Sequence, residues 1–284
     1  MRAPAGPPGR VLHAITEFGA LSETFISERM VALEALGWQT WVATKAVHNR
    51  DVFGFPPDER LIVARNRERL LRRCLGVVPG HRGAGSWWLE RAIAAARPAL
   101  VHAHFGWSAL EALDAVERHR LPLVAGFHGY DVTVFPTHGF SPAGPGGATG
   151  VYDELFARVD VAVVVSRFLQ GRLRGLGYDG EVHVVPSGIR LGDFPFRGPR
   201  PADGAFRLLF VGRLVEYKGL DVLLRALPAI ASELGEVQLD VVGDGPQRAE
   251  WERLAAELAI AGTIAFHGAR PRRDVVRSLQ AADM

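Results

Sequence analysis

The residues best suited to chemistry lie in the stretch LLFVGRLVEYKGLDVLLRAL, at positions 208–227. Its first half is an apolar run that predicts a buried strand, and Gly212 and Arg213 follow that run directly. Lys218 and Gly219 then precede a segment whose apolar spacing predicts a helix. Two cations and the unpaired N–H groups of a helix end would thus face one point, an arrangement that favours a diphosphate. The alternative is a pair of surface cations around an ordinary turn.

A second glycine-containing turn follows the next predicted strand. In VVGDGP, residues 241–246, Gly243 and Gly245 flank Asp244, and Pro246 can begin a helix. This pattern is a weak signal by itself, but it places two more glycines beside the predicted diphosphate site. It differs from the GxGxxG dinucleotide fingerprint, which is also missing from the first turn of each half, and this counts against a dehydrogenase.

Polar residues also follow the first predicted strand, in FGALSETF at positions 18–25. Gly19 permits close approach of the backbone to a ligand, and the start of the next helix offers N–H groups to a phosphate. An ordinary strand-to-helix turn explains the same residues equally well.

Two histidine-containing strand ends provide further candidates. In VHAHFG, His102 and His104 lie on one side of a strand because side chains alternate. They suggest a metal pair, but no third ligand stands at a diagnostic spacing, so no metal site is predicted and one of them is expected to orient a loop or line a cleft.

In FHGYDV, His128 and Asp131 bracket Gly129. A neutral histidine there can meet a sugar hydroxyl or a developing charge while the carboxylate fixes its tautomer. A purely structural histidine is the alternative.

Short Val/Ile/Leu runs alternate with helical segments, the pattern of parallel strands joined by crossover helices. Seven such units in residues 1–195 predict one doubly wound sheet, and a Pro/Gly-rich stretch at about 196–205 predicts a linker. Three more strand–helix pairs in residues 206–284 predict a second, incomplete Rossmann-like domain. The predicted strands are 11–15, 40–44, 61–64, 100–104, 123–128, 161–165, 182–185, 207–211, 238–242 and 264–267.

Composition excludes several classes of protein. A single cysteine among 284 residues is incompatible with a disulfide framework or a Cys-rich zinc site. A formal net charge of +2 gives no reason to expect a nucleic-acid partner. Neither a signal peptide nor an apolar span long enough for a membrane helix is visible, so a cytoplasmic protein is expected.

One basic segment suggests a membrane contact. Five arginines lie between Arg65 and Arg73, interleaved with leucines, and Trp87 and Trp88 follow. Such a face can sit on an anionic membrane or hold a lipid-phosphate acceptor. A solvated arginine face on a core helix is the alternative.

Taken together, these stretches resemble glycosyltransferase family 4, whose members are retaining enzymes of the GT-B fold. The likeness covers nearly the whole chain, is most specific at VGRLVEYKG, and at SETFI and HAHFG is similar to members that build surface glycans. The matching stretches, in chain order, are SETFI, VHAHFG, FHGYDV, VVVSRFL, VVPSGI, VGRLVEYKG and VVGDGP.

The resemblance implies sugar transfer from a nucleotide-diphosphate donor to a glycan or lipid-linked acceptor, with no cofactor and no bound metal. Arg213 and Lys218 match the pair that stabilises the leaving diphosphate, and His128 matches the histidine near the reacting carbon. Gly19 matches the loop that approaches the donor phosphates.

Two sets of site residues are predicted on this basis. The donor-binding set consists of Gly19, Gly212, Arg213, Lys218, Gly243 and Gly245. Glu23 and Asp131 are candidates for contact with the acceptor.

One departure from the family pattern concerns the acidic EGxPxxxxEA-like motif, which would follow residue 284. This polypeptide, as written, is therefore expected to be inactive or nearly so. The competing hypotheses are a non-catalytic remnant that binds an acceptor or a partner, and a GT-B sugar-nucleotide epimerase.

Overall fold

A computed structural model of the chain describes residues 9–50, 54–64, 87–138, 150–196, 198 and 204–284. It divides into two compact units, one ending at Ile189 and the other running from Arg190 to Met284. Within the second unit, Arg272 lies 3.2 Å from Asp193, and Gln280 donates to the carbonyl of Pro195. The predicted linker at 196–205 falls largely outside the described residues.

The first unit contains a seven-stranded sheet in the order β3-β2-β1-β4-β5-β6-β7, parallel throughout. The order reverses direction between β1 and β4, as expected for a doubly wound sheet. The strands are β1 (Arg10–Phe18), β2 (Gln39–Val47), β3 (Leu61–Val63), β4 (Leu100–His104), β5 (Leu123–Phe127), β6 (Val161–Val164) and β7 (Glu181–Val184).

Helices connect these strands and cover the sheet. Each helix can cover the sheet because its apolar residues recur at helical spacing and form one buried face. In the helix Gly106–His119, the buried residues include Ala109, Ala112 and Val116. The described helices are α1 (Thr24–Ala35), α2 (Trp87–Ala96), α3 (Gly106–His119), α4 (Tyr130–Thr133), α5 (Phe135–His138), α6 (Asp153–Phe156) and α7 (Arg167–Gly175).

The second unit contains a three-stranded parallel sheet in the order β10-β9-β8. Its core joins Leu208 and Leu239 on the strands to Leu224 and Trp251 on the helices. At the outer strand, the N–H of Leu209 donates to the carbonyl of Met284 over 2.8 Å. The elements are β8 (Phe206–Val211), α8 (Leu220–Leu234), β9 (Val237–Val242), α9 (Arg248–Glu257), β10 (Ile264–Gly268) and α10 (Arg272–Ala281).

The predicted α/β class with two parallel-sheet domains is confirmed, and every predicted strand is present. Eight strands lie within one residue of their expected bounds, and β1 and β2 each extend three residues further at the C-terminal end. The expected membrane-facing tryptophan pair needs a correction at Trp88, which is only 2% exposed and packs in the core of the first unit. The arginines from Arg65 to Arg73 lie outside the described residues. Among the helices that the structure does describe, none is long and apolar enough to cross a bilayer.

Candidate functional site

In the second unit, two loops that follow β8 and β9 meet backbone to backbone. Gly243 has a φ of +151°, and a Cβ there would lie 1.8 Å from the carbonyl oxygen of Gly212. A Cβ on Gly245 would lie 2.4 Å from the carbonyl oxygen of Leu214. Because no side chain fits at these contacts, the glycines of the predicted donor-binding set keep the two strand ends in direct contact.

Both predicted cations lie in the segment that follows the carboxyl end of β8. Arg213 and Lys218 flank the ring of Tyr217, with the guanidinium carbon 6.0 Å and the ammonium nitrogen 5.9 Å from its centroid. Arg213 also donates to the Tyr217 hydroxyl. All three side chains are exposed, and no carboxylate among the described residues pairs with either cation. The two positive charges are therefore available to a ligand.

Helix α8 begins beside these cations. A 3-10 turn, Glu216–Lys218, leads into Gly219, which adopts the left-handed conformation at a φ of +68° and serves as the N-cap. Because glycine has no side chain, it cannot cap the first N–H groups of the helix, and these stay available for an anion.

In the first unit, Gly19 directly follows β1 and is required by its surroundings. Its φ is +91°, and a Cβ would lie 2.1 Å from the carbonyl oxygen of His48. Its own carbonyl accepts a hydrogen bond of 2.9 Å from the Asn49 side chain. Glu23 lies in the 3-10 turn that follows, immediately before α1, and is half-buried. Direct contacts of Gly19 and Glu23 with substrates stay predictions.

Asp131 organises two strand ends. One of its carboxylate oxygens accepts from the backbone N–H of Gly129 at 2.8 Å and of His128 at 3.0 Å, and the other accepts from Gly106 at 3.2 Å. Burial raises the pKa of this carboxyl to about 6, although the three backbone donors oppose the rise. The side chain is 0% exposed. Asp131 therefore has no exposed atom with which to make the predicted contact with an acceptor.

The interpretation that Asp131 fixes the tautomer of His128 is wrong, because it holds the backbone of that residue and not its ring. The ring lies between Phe25 and Phe105, with centroids 4.7 and 4.8 Å away. Its Nε2 atom faces Nδ1 of His104 at 3.3 Å. Within the ranges that the structure describes, the ring of His128 therefore has a histidine as its partner and no carboxylate.

Two more histidines extend this contact into the sheet. His102 and His104 stack at 4.4 Å, as the alternation along β4 predicts, and Nδ1 of His13 on β1 lies 3.0 Å from Nε2 of His104. One nitrogen from each of these three residues falls within 4.8 Å of the others. Sequence spacing missed His13, which lies 91 residues from His104. Only the pairing of His13 with His102 across β1 and β4 brings it there.

All four imidazoles are neutral at physiological pH. Burial is the main cause and lowers the pKa of His13 and of His128 to about 3, with a further contribution from the Arg29 guanidinium. Burial also lowers the pKa of His102 and His104 well below the usual range, and their histidine neighbours add to it. Neutral imidazoles each offer one donor and one acceptor, so this cluster can relay hydrogen bonds.

Comparison with known proteins agrees with this architecture. Residues 22–193 match the family model for Glycosyltransferase Family 4, and residues 196–284 match that for glycosyl transferases group 1. The solved structure of HepE from Anabaena, in complex with UDP and glucose, superposes with a TM-score of 0.69 at 15% identity, covering 96% of this chain and 72% of HepE.

Two curated relatives share parts of the sequence. The amylovoran biosynthesis glycosyltransferase AmsK of Erwinia amylovora is 27% identical over 134 residues, which is 47% of this chain and 33% of AmsK. The lipopolysaccharide core biosynthesis glycosyltransferase LpsD of Rhizobium meliloti is 30% identical over 117 residues, or 40% of this chain and 33% of LpsD. Each match thus spans a third of the relative's own length. The two family matches cover nearly all of the described sequence, and the chain belongs to glycosyltransferase family 4, with the GT-B fold.

Proposed function

We propose that this chain binds a nucleotide-diphosphate sugar and belongs to a glycosyltransferase that moves the sugar to a glycan or lipid-linked acceptor. The anomeric configuration would be retained in this transfer. The setting would be surface polysaccharide biosynthesis. The observation that carries the proposal is the exposed pair Arg213 and Lys218, which flanks Tyr217 at a strand's carboxyl end without an acidic partner among the described residues.

The electrostatics of this pair suit a leaving diphosphate. Arg213 offers a planar fork of donors for two phosphate oxygens, while Lys218 acts as a compact charge. The N-terminus of α8 adds oriented N–H groups, and the side-chain-free contact of the Gly212 and Gly243 loops lets a bulky anion approach the backbone. Negative charge that grows on the leaving group would therefore meet groups already in place.

Similar proteins support the class of substrate. AmsK and LpsD are named for amylovoran and lipopolysaccharide core biosynthesis, and HepE is solved with UDP and glucose. By the resemblance, His128 would contact the donor sugar and Gly19 the donor phosphates.

Donor binding tests the proposal directly on this chain. We would titrate UDP, GDP, ADP and inorganic pyrophosphate by calorimetry into the wild type and into Arg213→Ala and Lys218→Ala. Each charge-assisted contact contributes about 1.5 to 3 kcal/mol, so either substitution should weaken the best nucleotide by about 10- to 100-fold. Arg253→Ala is the matched control, since Arg253 is an exposed cation of the same unit that pairs with Glu257.

Unchanged affinity in both variants would refute the diphosphate assignment. Transfer is tested separately, by incubation with radiolabelled sugar nucleotides with and without membrane lipids. Label in a lipid or glycan with a retained anomeric centre supports the proposal. An inverted product, or an epimerised nucleotide sugar with no transfer, contradicts it.

A further inference from the structure

Three of the buried histidines form a continuous chain of hydrogen bonds that ends at the proposed sugar-contacting residue. Nδ1 of His13 faces Nε2 of His104 at 3.0 Å, and Nδ1 of His104 faces Nε2 of His128 at 3.3 Å. The rings of His104 and His128 lie nearly parallel, at 11°. Every inner nitrogen therefore has a histidine partner, and only Nε2 of His13 and Nδ1 of His128 are left at the two ends.

Such a chain has only two self-consistent proton arrangements. A neutral imidazole carries one N–H and one lone pair, so a donor at one end forces every later ring to donate in the same direction. If His13 donates to His104, then His104 donates to His128, and Nδ1 of His128 must carry the remaining proton. The opposite direction leaves Nδ1 of His128 as a bare acceptor and puts an N–H on Nε2 of His13.

The two ends select between these arrangements. Neither end nitrogen has a partner in the described part of the chain, and both atoms are buried, but His13 is 0% exposed while His128 is only partly buried at the strand end. An orphaned buried N–H is among the rarest polar defects in proteins, whereas an unused lone pair is tolerated more often. Either arrangement leaves one buried end N–H without a partner among the described residues. The arrangement that keeps this N–H away from the fully buried His13 places it on Nδ1 of His128, a partly buried residue at the carboxyl end of β5, where ligands of parallel sheets bind.

We propose that His104, whose other ring nitrogen faces His13, is a positioning residue that fixes His128 as its Nδ1–H tautomer, so that His128 presents a hydrogen-bond donor to an oxygen atom of the donor substrate. The role as a sugar contact rests on the proposed function, whereas the tautomer itself is a property of the free protein.

Two neighbouring features support a role in hydrogen bonding for the cluster. A Cβ on Gly126 would lie 3.1 Å from Nε2 of His102 and 3.3 Å from Nε2 of His128, so glycine leaves these two nitrogens their space. Metal binding by His13, His102 and His104 fits less well. Both nitrogens of His104 already face histidine nitrogens, and Arg29 is close enough to disfavour a second positive charge.

The test is ¹⁵N nuclear magnetic resonance of the full chain labelled at histidine, recorded without donor. The ¹⁵N chemical shift of the protonated ring nitrogen differs strongly from that of the unprotonated nitrogen. Correlations with the carbon-bound protons of the ring assign each signal to Nδ1 or Nε2. In the wild type, His128 should show one dominant tautomer, Nδ1–H. In His104→Phe, which removes both bonds, this preference should be lost.

The matched control is His102→Phe, a substitution of the same size on the same strand that leaves the chain of bonds intact. It should preserve the Nδ1–H tautomer of His128. His13→Phe makes Nε2 of His104, which is also fully buried, the inner end of the chain, so the same argument predicts that His128 keeps its Nδ1–H tautomer. This variant decides the question if His104→Phe does not fold.

A dominant Nε2–H tautomer in the wild type would overturn the proposal, and so would an unchanged His128 tautomer in a folded His104→Phe or a mixture of tautomers in His13→Phe. Nucleotide affinity measured on the same samples is an independent readout. A confirmed tautomer with no nucleotide binding would refute the proposed function and leave the positioning chain in place.

Discussion

Acidification should destabilise the first unit far more than the second, because the first unit buries four neutral histidines. The unfolded chain takes up protons on these residues near pH 6.5, but the native state holds the pKa of His13 and His128 near 3 and those of His102 and His104 well below 6.5. Below pH 6.5 the unfolded state therefore binds more protons than the native state, and the free energy of unfolding decreases as the pH is lowered.

The size of the effect follows from proton linkage. Between pH 7.5 and pH 5.5, a histidine that titrates only when unfolded lowers the free energy of unfolding by slightly more than about 1 kcal/mol, and four lower it by about 5 kcal/mol. Asp131 acts in the opposite direction, because its native pKa of about 6 exceeds its unfolded value of 3.8. It returns less than about 1 kcal/mol over the same interval.

Hydrogen–deuterium exchange at the two pH values, corrected for intrinsic rates, measures the opening free energy of each unit separately. Peptides from β4 and β5 should lose about 4 to 5 kcal/mol of protection. Peptides from β9 are the internal control, since the second unit contains one histidine, His267, which is partly exposed. His102→Phe should reduce the loss in the first unit by about a quarter. Equal losses in both units would refute the reasoning.

Three further outcomes are expected from urea denaturation. Gly243→Ala drives a Cβ into the Gly212 carbonyl and should cost the second unit about 3 kcal/mol or more, whereas Gly262→Ala, with open space around it, should cost less than about 1. Asp131→Asn leaves one of three backbone donors facing an amide N–H and should lower the stability of the first unit by about 1 to 3 kcal/mol. Leu224→Ala removes a fully buried side chain and should cost the second unit about 2 to 5 kcal/mol, and a smaller effect would contradict the packing described for its core.

Local signals in the sequence were sufficient for the strands and for the glycine-containing turns that follow β8 and β9. Parallel strands buried on both faces appear as uninterrupted apolar runs, so β4 and β8 were located to the residue or nearly so. The glycines at 212, 243 and 245 were found because they follow such runs. Tyr217 was not singled out, although it stands between the two cations, because an aromatic residue in a turn has many explanations.

The histidine cluster was out of reach for a different reason. His102 and His104 are neighbours on one strand, but His13 joins them only through the pairing of β1 with β4, and His128 only through the pairing of β4 with β5. Register between distant strands is a property of the assembled sheet and has no signature in residue spacing. The same limitation misassigned Asp131, whose nearness to His128 in sequence suggested a ring contact that the backbone takes instead.

The three hydrogen bonds accepted by Asp131 tie the turn after β4 to the turn after β5, because Gly106 belongs to one and His128 and Gly129 to the other. Loop exchange between relatives therefore has a constraint. If the turn after β5 were replaced by one without this carboxylate, the backbone N–H of Gly106 at the start of α3 would lose its acceptor. A chimera with a relative should therefore exchange the turns after β4 and β5 together.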